Sequence, residues 1–248
     1  MRLPVLAALL TCALALPATA AGLEDMTPAE RLAFRAEVKA FLLENPEVLV
    51  EAMDVLQDRQ AKAEVANDKQ LVIDHKADLF ADKASWVGGN PDGDITVVEF
   101  MDYRCGYCRK AYQEVEDLVK ADGNIRLVLK EYPILGEDSV TSARFAIAVL
   151  QLHGNDAYKK AHDALITLRG TPDAETLGRL ATDLGLESQP VLAKMGSDEV
   201  TAVIAQNQQL GDKMAISGTP TFVIDGQILR GYVPLEGMQQ IVASERKS

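Results

Sequence analysis

Two cysteines three positions apart, Cys105 and Cys108, are the residues of this chain best suited to do chemistry. They lie in the stretch Glu99 to Arg109, Glu-Phe-Met-Asp-Tyr-Arg-Cys-Gly-Tyr-Cys-Arg. An apolar run from Ile95 to Met101 predicts a buried strand and the residues from Gly106 onward predict a helix, so Cys105 stands where strand hands over to helix. Unpaired backbone N–H groups and the positive end of the helix dipole favour an anion there, which makes Cys105 the sulfur expected to ionise more readily than a free thiol. Cys108 falls one turn deeper on the same face, near enough to close a disulfide or to attack one made by Cys105. Two other uses of such a pair stand beside redox exchange. A structural disulfide closing so short a loop removes little entropy from the unfolded chain. Zinc usually takes four ligands, and His75, His153 and His162 are not arranged near the pair in sequence. Redox exchange is the favoured reading.

The chain that must position these sulfurs has 248 residues, enough for one full core and an appendage. Residues 1–20 have the layout of a secretory signal: Arg2, an apolar stretch from Leu6 to Leu16, and Ala18-Thr19-Ala20 as a small-residue cleavage site. Cys12 would leave with that segment, which turns three cysteines into two; a lipoprotein anchored at Cys12 is the competing reading. No later stretch approaches the ~18 consecutive apolar residues of a membrane span, so a soluble protein in an exported, oxidising compartment is expected. The net charge of −12 argues against nucleic acid or an anionic membrane as partner, and solubility alone can explain it.

Before the cysteines, Thr27-Pro28-Ala29-Glu30 predicts a helix start with a capping box. Phe34, Val38, Phe41 and Leu42 give the helix an apolar stripe, and Asn45-Pro46-Glu47 starts a second helix whose Leu49, Met53 and Leu56 continue it. Asp58 to Gln70 is polar all round and predicts a solvated connector. The stripe must pack on something, either its own domain or other copies of the chain, and the connector favours the latter. Gly88 to Gly93 is a loop, with Trp86 and Val87 as a short edge strand before it and the redox strand and helix after it. Asn124 to Tyr132 predicts the strand completing a βαβ unit, and residues 139–214 predict about four helices, with Gly154, Gly170 and Gly185 at their stops. Thr221 to Ile224, Asp225-Gly226 and Gln227 to Leu229 predict a hairpin, followed by a helix from Pro234. No internal repeat, phosphate-binding glycine loop, serine-nucleophile motif or helical metal-ligand pair is found.

Glu99 interrupts an otherwise apolar strand. A buried carboxylate needs a partner or a raised pKa, and Lys130, at a corresponding place in the next strand, is the candidate partner; an ordinary salt bridge or an exposed strand end would serve as well. Arg104 and Arg109 either add positive potential near Cys105 or are simply solvated, and the three histidines are expected at the surface.

From Trp86 to Val242 the chain resembles the periplasmic thioredoxin-fold thiol-disulfide oxidoreductases of the DsbA family. Cys105-Gly106-Tyr107-Cys108 after a strand, the inserted helices, and Ser217-Gly218-Thr219-Pro220-Thr221 before the last hairpin carry the likeness. It implies an α/β thioredoxin fold with an inserted helical domain, preceded by a helical oligomerisation segment. The corresponding bounds are a signal at 1–20, the segment and linker at 21–83, and the catalytic domain at 84–248 with its insertion at 139–214. It implies that Pro220 is cis and lies against the redox pair, that the Thr219 backbone pairs with an extended substrate together with Gly106 and Tyr107, and that Glu99 and Lys130 move the proton of Cys108. Gly106-Tyr107, Thr219-Pro220 and Gly231-Tyr232-Val233-Pro234 resemble the DsbC-type isomerase site. Glu44 to Leu49 resembles the ScsC proteins, implying a homotrimer and copper tolerance; separately, two soft thiolates suit Cu(I), which makes Cu(I) binding an alternative use of the pair. The expected activity is disulfide isomerase or reductase, with dithiol oxidase or Cu(I) binding as alternatives and no cofactor beyond the redox disulfide itself. The expected partners are exported proteins with cysteines and a membrane thiol reductase.

Overall fold

The computed structural model describes residues 26–247. The expected signal segment and its cleavage site therefore lie outside the described residues. The run that predicts a buried strand is β2 (Ile95–Met101), with six of its seven residues buried. It pairs in parallel with β3 (Ile125–Glu131) and antiparallel with β4 (Thr221–Ile224). The edges are β1 (Trp86–Gly89), antiparallel to β3, and β5 (Gln227–Arg230), antiparallel to β4, giving the order β1-β3-β2-β4-β5. Between β2 and β3 runs α4 (Gly106–Asp122), ended by Gly123 in the left-handed region at φ 71°. The Asp225-Gly226 turn is fastened to β2 by a hydrogen bond from the Thr96 N–H to Asp225 Oδ1 at 3.0 Å.

The helical block follows β3. In α5 (Glu137–Thr167) the backbone breaks at Gly154, with φ 78° and ψ −172°, so this element is two helices meeting where the sequence placed a stop and a start. After it come α6 (Ala174–Asp183), α7 (Ser188–Lys194) and α8 (Asp198–Lys213), and the chain closes with α9 (Leu235–Glu245). Because strand side chains alternate, the sheet feeds two cores. Val97, Met101, Leu127 and Leu129 pack with α4, α5 and α9 on one face; Val98, Phe100 and Val128 pack with Val72, Leu79, Leu210 and Met214 on the other.

The described residues divide into two compact units, with the division between Gln60 and Ala61. The reason is apolar burial: Val72 and, on the short helix α3 (Lys76–Phe80), Leu79 belong to the second core. The expected solvated connector, Asp58 to Gln70, is exposed except at Asp68, which is buried and accepts two bonds from Arg230, at 2.6 and 2.8 Å. In the first unit, α1 (Pro28–Glu44) begins with the predicted capping box: the Thr27 hydroxyl accepts from the Glu30 N–H at 3.3 Å, and Glu30 Oε2 accepts from the Thr27 N–H at 2.8 Å. None of its residues is buried, and Phe34, Val38 and Phe41 are exposed, as are Leu49, Met53 and Leu56 of α2 (Glu47–Asp74).

Candidate active site

Cys105 is the N-cap of α4, in extended backbone conformation, so its sulfur stands at the helix head while the strand leading to it is fixed in the sheet. Both thiols are free, and Cys105 Sγ donates to the Thr219 carbonyl at 3.1 Å. The Thr219–Pro220 peptide bond is cis, and the Pro220 carbonyl accepts from the Gly231 N–H at 2.9 Å. This brings together the two motifs that lie over a hundred residues apart in the chain. The Thr219 N–H makes no hydrogen bond among the described residues, which leaves it for an extended peptide alongside. The Thr219 hydroxyl is buried without a regular partner; its neighbour is Cys108, whose thiolate it favours.

The middle of the motif is open. A Cβ on Gly106 would meet nothing within 4 Å, and Tyr107 is 63 % exposed. The Tyr107 ring stacks on Tyr232 with centroids 6.3 Å apart; Tyr232 in turn donates to Glu114 Oε1 at 2.5 Å and lies under Lys110 Nζ. Arg109 donates from Nε to the Tyr103 carbonyl at 2.8 Å, and Arg104 donates to the Gly170 carbonyl at 2.8 Å and faces Asp138 at 3.5 Å. These two arginines therefore tie loops beside Cys105. The loop entering the motif is also held by Asp102, a buried carboxylate that accepts from the N–H groups of Arg104, Ile134 and Leu135 at 2.8, 2.9 and 3.1 Å.

Cys108 is buried, and burial first, then the charge of Glu99, pushes its thiol well up. Glu99 and Cys108 share a cavity of about 10 Å³, too small for more than one water, which Tyr112, Glu116 and His162 also line. No hydrogen bond reaches the Glu99 carboxyl among the described residues, and burial, helped by the charge of Glu116, pushes it up to about 8. The expected Glu99–Lys130 pair does not form. Parallel register sets Glu99 beside Leu129 and Phe100 beside Lys130, so the two side chains leave opposite faces of the sheet. Lys130 instead reaches Asp82 Oδ2 at 2.8 Å and Ser85 Oγ at 3.3 Å, away from Cys108.

The acidic residue that β3 adds to the Glu99 face is Glu131, paired with Met101 and two residues on from the Leu129 that sits beside Glu99, and sequence reading missed it. The parity that puts Leu127 and Leu129 in the core with Cys108 puts Glu131 there too, and that signal lay in the strand once its register was known. Tyr103 and Tyr158 donate to Glu131 Oε1 at 2.8 and 2.6 Å. His162 is buried rather than at the surface, with Nδ1 3.1 Å from the Tyr103 hydroxyl, because its helix segment is enclosed by the sheet and α4. Among the described residues, no group of three or more His, Cys, Asp or Glu is placed to hold a metal ion, and no helix is long and apolar enough to cross a membrane.

Comparison with known proteins agrees with this geometry. Residues 96–243 match the DSBA-like thioredoxin domain, and residues 30–63 match the copper resistance protein ScsC N-terminal domain. A thioredoxin-like oxidoreductase from Silicibacter pomeroyi is 42 % identical, with a TM-score of 0.65, over 69 % of this chain and 98 % of that one. Proteus mirabilis ScsC in a transitional conformation is 25 % identical, with a TM-score of 0.65, over 90 % of this chain and 97 % of that one. Among curated sequences, the Na(+)/H(+) antiporter NhaA 1 of Salinispora arenicola is 28 % identical over 64 % of this chain, which spans only 24 % of the antiporter.

Proposed function

Because the chain belongs to the family of the DSBA-like thioredoxin domain, we propose that it exchanges disulfides with the cysteines of exported proteins in the periplasm, chiefly as an isomerase or reductase. The observation that carries this reading is the Cys105 sulfur at the head of α4, in contact with the carbonyl that precedes cis Pro220. Cys105 as thiolate attacks a substrate disulfide, its sulfur bonds to one substrate sulfur, and the other substrate sulfur leaves with the electron pair. Either that thiolate, attacking elsewhere in the substrate, or Cys108 then releases Cys105. Thr219 offers its free N–H to the substrate backbone, while Gly106 and Tyr107 form the open floor beneath it. Glu99, sharing a cavity with Cys108, holds the proton that the buried sulfur gains or loses. Lys130 has no part in this, because it lies across the sheet.

The exposed stripe from Phe34 to Leu56 supports assembly into an oligomer, a homotrimer in this proposal, which would gather several redox sites around one misfolded chain. A membrane thiol reductase would keep the pair reduced. The test is recovery of activity from scrambled, mispaired ribonuclease by the reduced protein, with and without residues 21–60. The truncated form is expected to lose most of the rescue while keeping simple thiol exchange; equal rescue would sink the oligomer reading, and no rescue by either would sink isomerase activity. The ScsC-type N-terminal match favours a second reading, in which the reduced pair holds Cu(I), and titration of the reduced protein with Cu(I) tests it.

A further inference from the structure

Glu131 has no evident structural reason to be charged. Its Oε1 takes both tyrosine hydroxyls, while its Oε2 is fully buried with no partner. Buried polar atoms are almost always satisfied, so an orphaned carboxyl oxygen one strand away from Glu99 and on the same face calls for an explanation in the chemistry. The cations nearby are already committed: Lys159 is paired to Asp163 at 2.6 Å and to Glu116 at 3.3 Å. Asp102, from the loop after β2, adds only negative charge. His162 supplies none, since burial pushes it down to about 4. The single proton of Tyr103 goes to Glu131, so the contact with His162 needs an Nδ1–H donating to the Tyr103 oxygen. Two carboxyls in one apolar layer, with no uncommitted cation beside them among the described residues, must then hold at least one proton between them. Burial pushes each of them up to about 8, and because like charges repel, ionising either one opposes ionising the other.

The two are not equivalent. Hydrogen bonds to an ionised carboxylate stabilise it, and Glu131 receives two while Glu99 receives none. We propose that Glu131 is a positioning residue for the exchange reaction: held as the carboxylate by Tyr103 and Tyr158, it keeps the proton of the pair on Glu99, next to the Cys108 sulfur. The inference rests on Glu99 being the proton partner of Cys108. When a substrate thiolate attacks Cys105 of the internal disulfide, the Cys105–Cys108 bond breaks and a substrate–Cys105 bond forms. The electron pair goes to the Cys108 sulfur, which takes the proton of Glu99 and leaves Glu99 ionised. In the reverse step Cys108 attacks the mixed disulfide, its proton returns to Glu99, and the substrate thiolate leaves.

The experiment is the pH dependence of exchange with glutathione disulfide in the full chain, together with infrared detection of the protonated carboxyl, for wild type, Glu131→Gln, Tyr158→Phe and Glu99→Gln. Wild type is expected to keep a protonated buried carboxyl at neutral pH. Glu131→Gln removes the neighbouring charge, and Tyr158→Phe weakens its hold on the carboxylate, so both should move the Glu99 midpoint down by about a pH unit, while Glu131→Asp restores it. Glu99→Gln should remove the midpoint and the carboxyl signal. A wild-type midpoint in both Glu131→Gln and Tyr158→Phe, with Glu99→Gln lacking it, overturns the role of Glu131 alone. Retention of the midpoint in Glu99→Gln overturns the Glu99 reading beneath it. Should Glu131→Gln fail to fold, Tyr158→Phe decides.

Discussion

The two faces of the central sheet bury charge in opposite ways. On one, Lys130 is buried against Asp82 and Ser85, a cation met by an anion. On the other, Glu99 and Glu131 are buried with no cation between them among the described residues, and a proton shared by the pair offsets their charge instead. An ion pair fixes a shape, because losing either member leaves a stranded charge. A carboxyl kept near neutrality by desolvation can give and take a proton at working pH, and it is this face that carries Cys108.

The largest effects should fall on the sulfurs of the protonic face. Cys105→Ser is expected to lose all exchange, whereas Cys108→Ser should accumulate mixed disulfides visible on non-reducing gels; trapping by the Cys105 variant instead would reverse the two roles. Next comes the paired face: Lys130→Met should cost about 1–3 kcal/mol in denaturant unfolding because Asp82 loses its cation while keeping the bonds from Ala84 and Ser85, with no change in the pH midpoint of exchange. A shifted midpoint would dissolve the contrast between the faces. Glu99→Gln should slow the steps that make or break the Cys108 bond by about 10²-fold, measured by stopped flow, while leaving first attack by Cys105 near wild type.

A smaller effect lies in stability against pH. The ordinary glutamate value is 4.5 and burial raises these carboxyls to about 8, so the unfolded chain releases the proton that the folded pair keeps, and stability is lost as pH rises through that window. His162 acts the other way, losing stability as pH falls from 6.5 to about 4, so between 6.5 and 8 the carboxyls act against no opposing histidine. The melting temperature should fall there by a few degrees per pH unit. Glu99→Gln should flatten that slope, and a flat wild-type curve would show that the carboxyls ionise freely.

Much of the architecture could be read from the chain because it is written in local signals. Thr27 and Glu30 announce a helix start, Gly154 a break, Asp225-Gly226 a turn, and the run from Ile95 to Met101 a buried strand. The redox motif and the Thr219-Pro220 loop were legible for the same reason, and their meeting at 3.1 Å follows from β2 and β4 being neighbours. The partner of Glu99 was not legible. Whether Lys130 or Glu131 shares its face depends on strand register, which no local pattern states, and a one-residue difference exchanges an ion pair for a proton store. Asp68 escaped notice because its partner, Arg230, lies 162 positions away, and His162 because enclosure of its helix is a tertiary fact.

The empty space around Gly106 has a practical consequence. A methyl group there would meet no atom within 4 Å beyond its own helix turn and neighbours, so packing leaves room at this position for a small side chain. An alanine at this one position would therefore alter the surface beside the two sulfurs while the packing beneath it stays as it is.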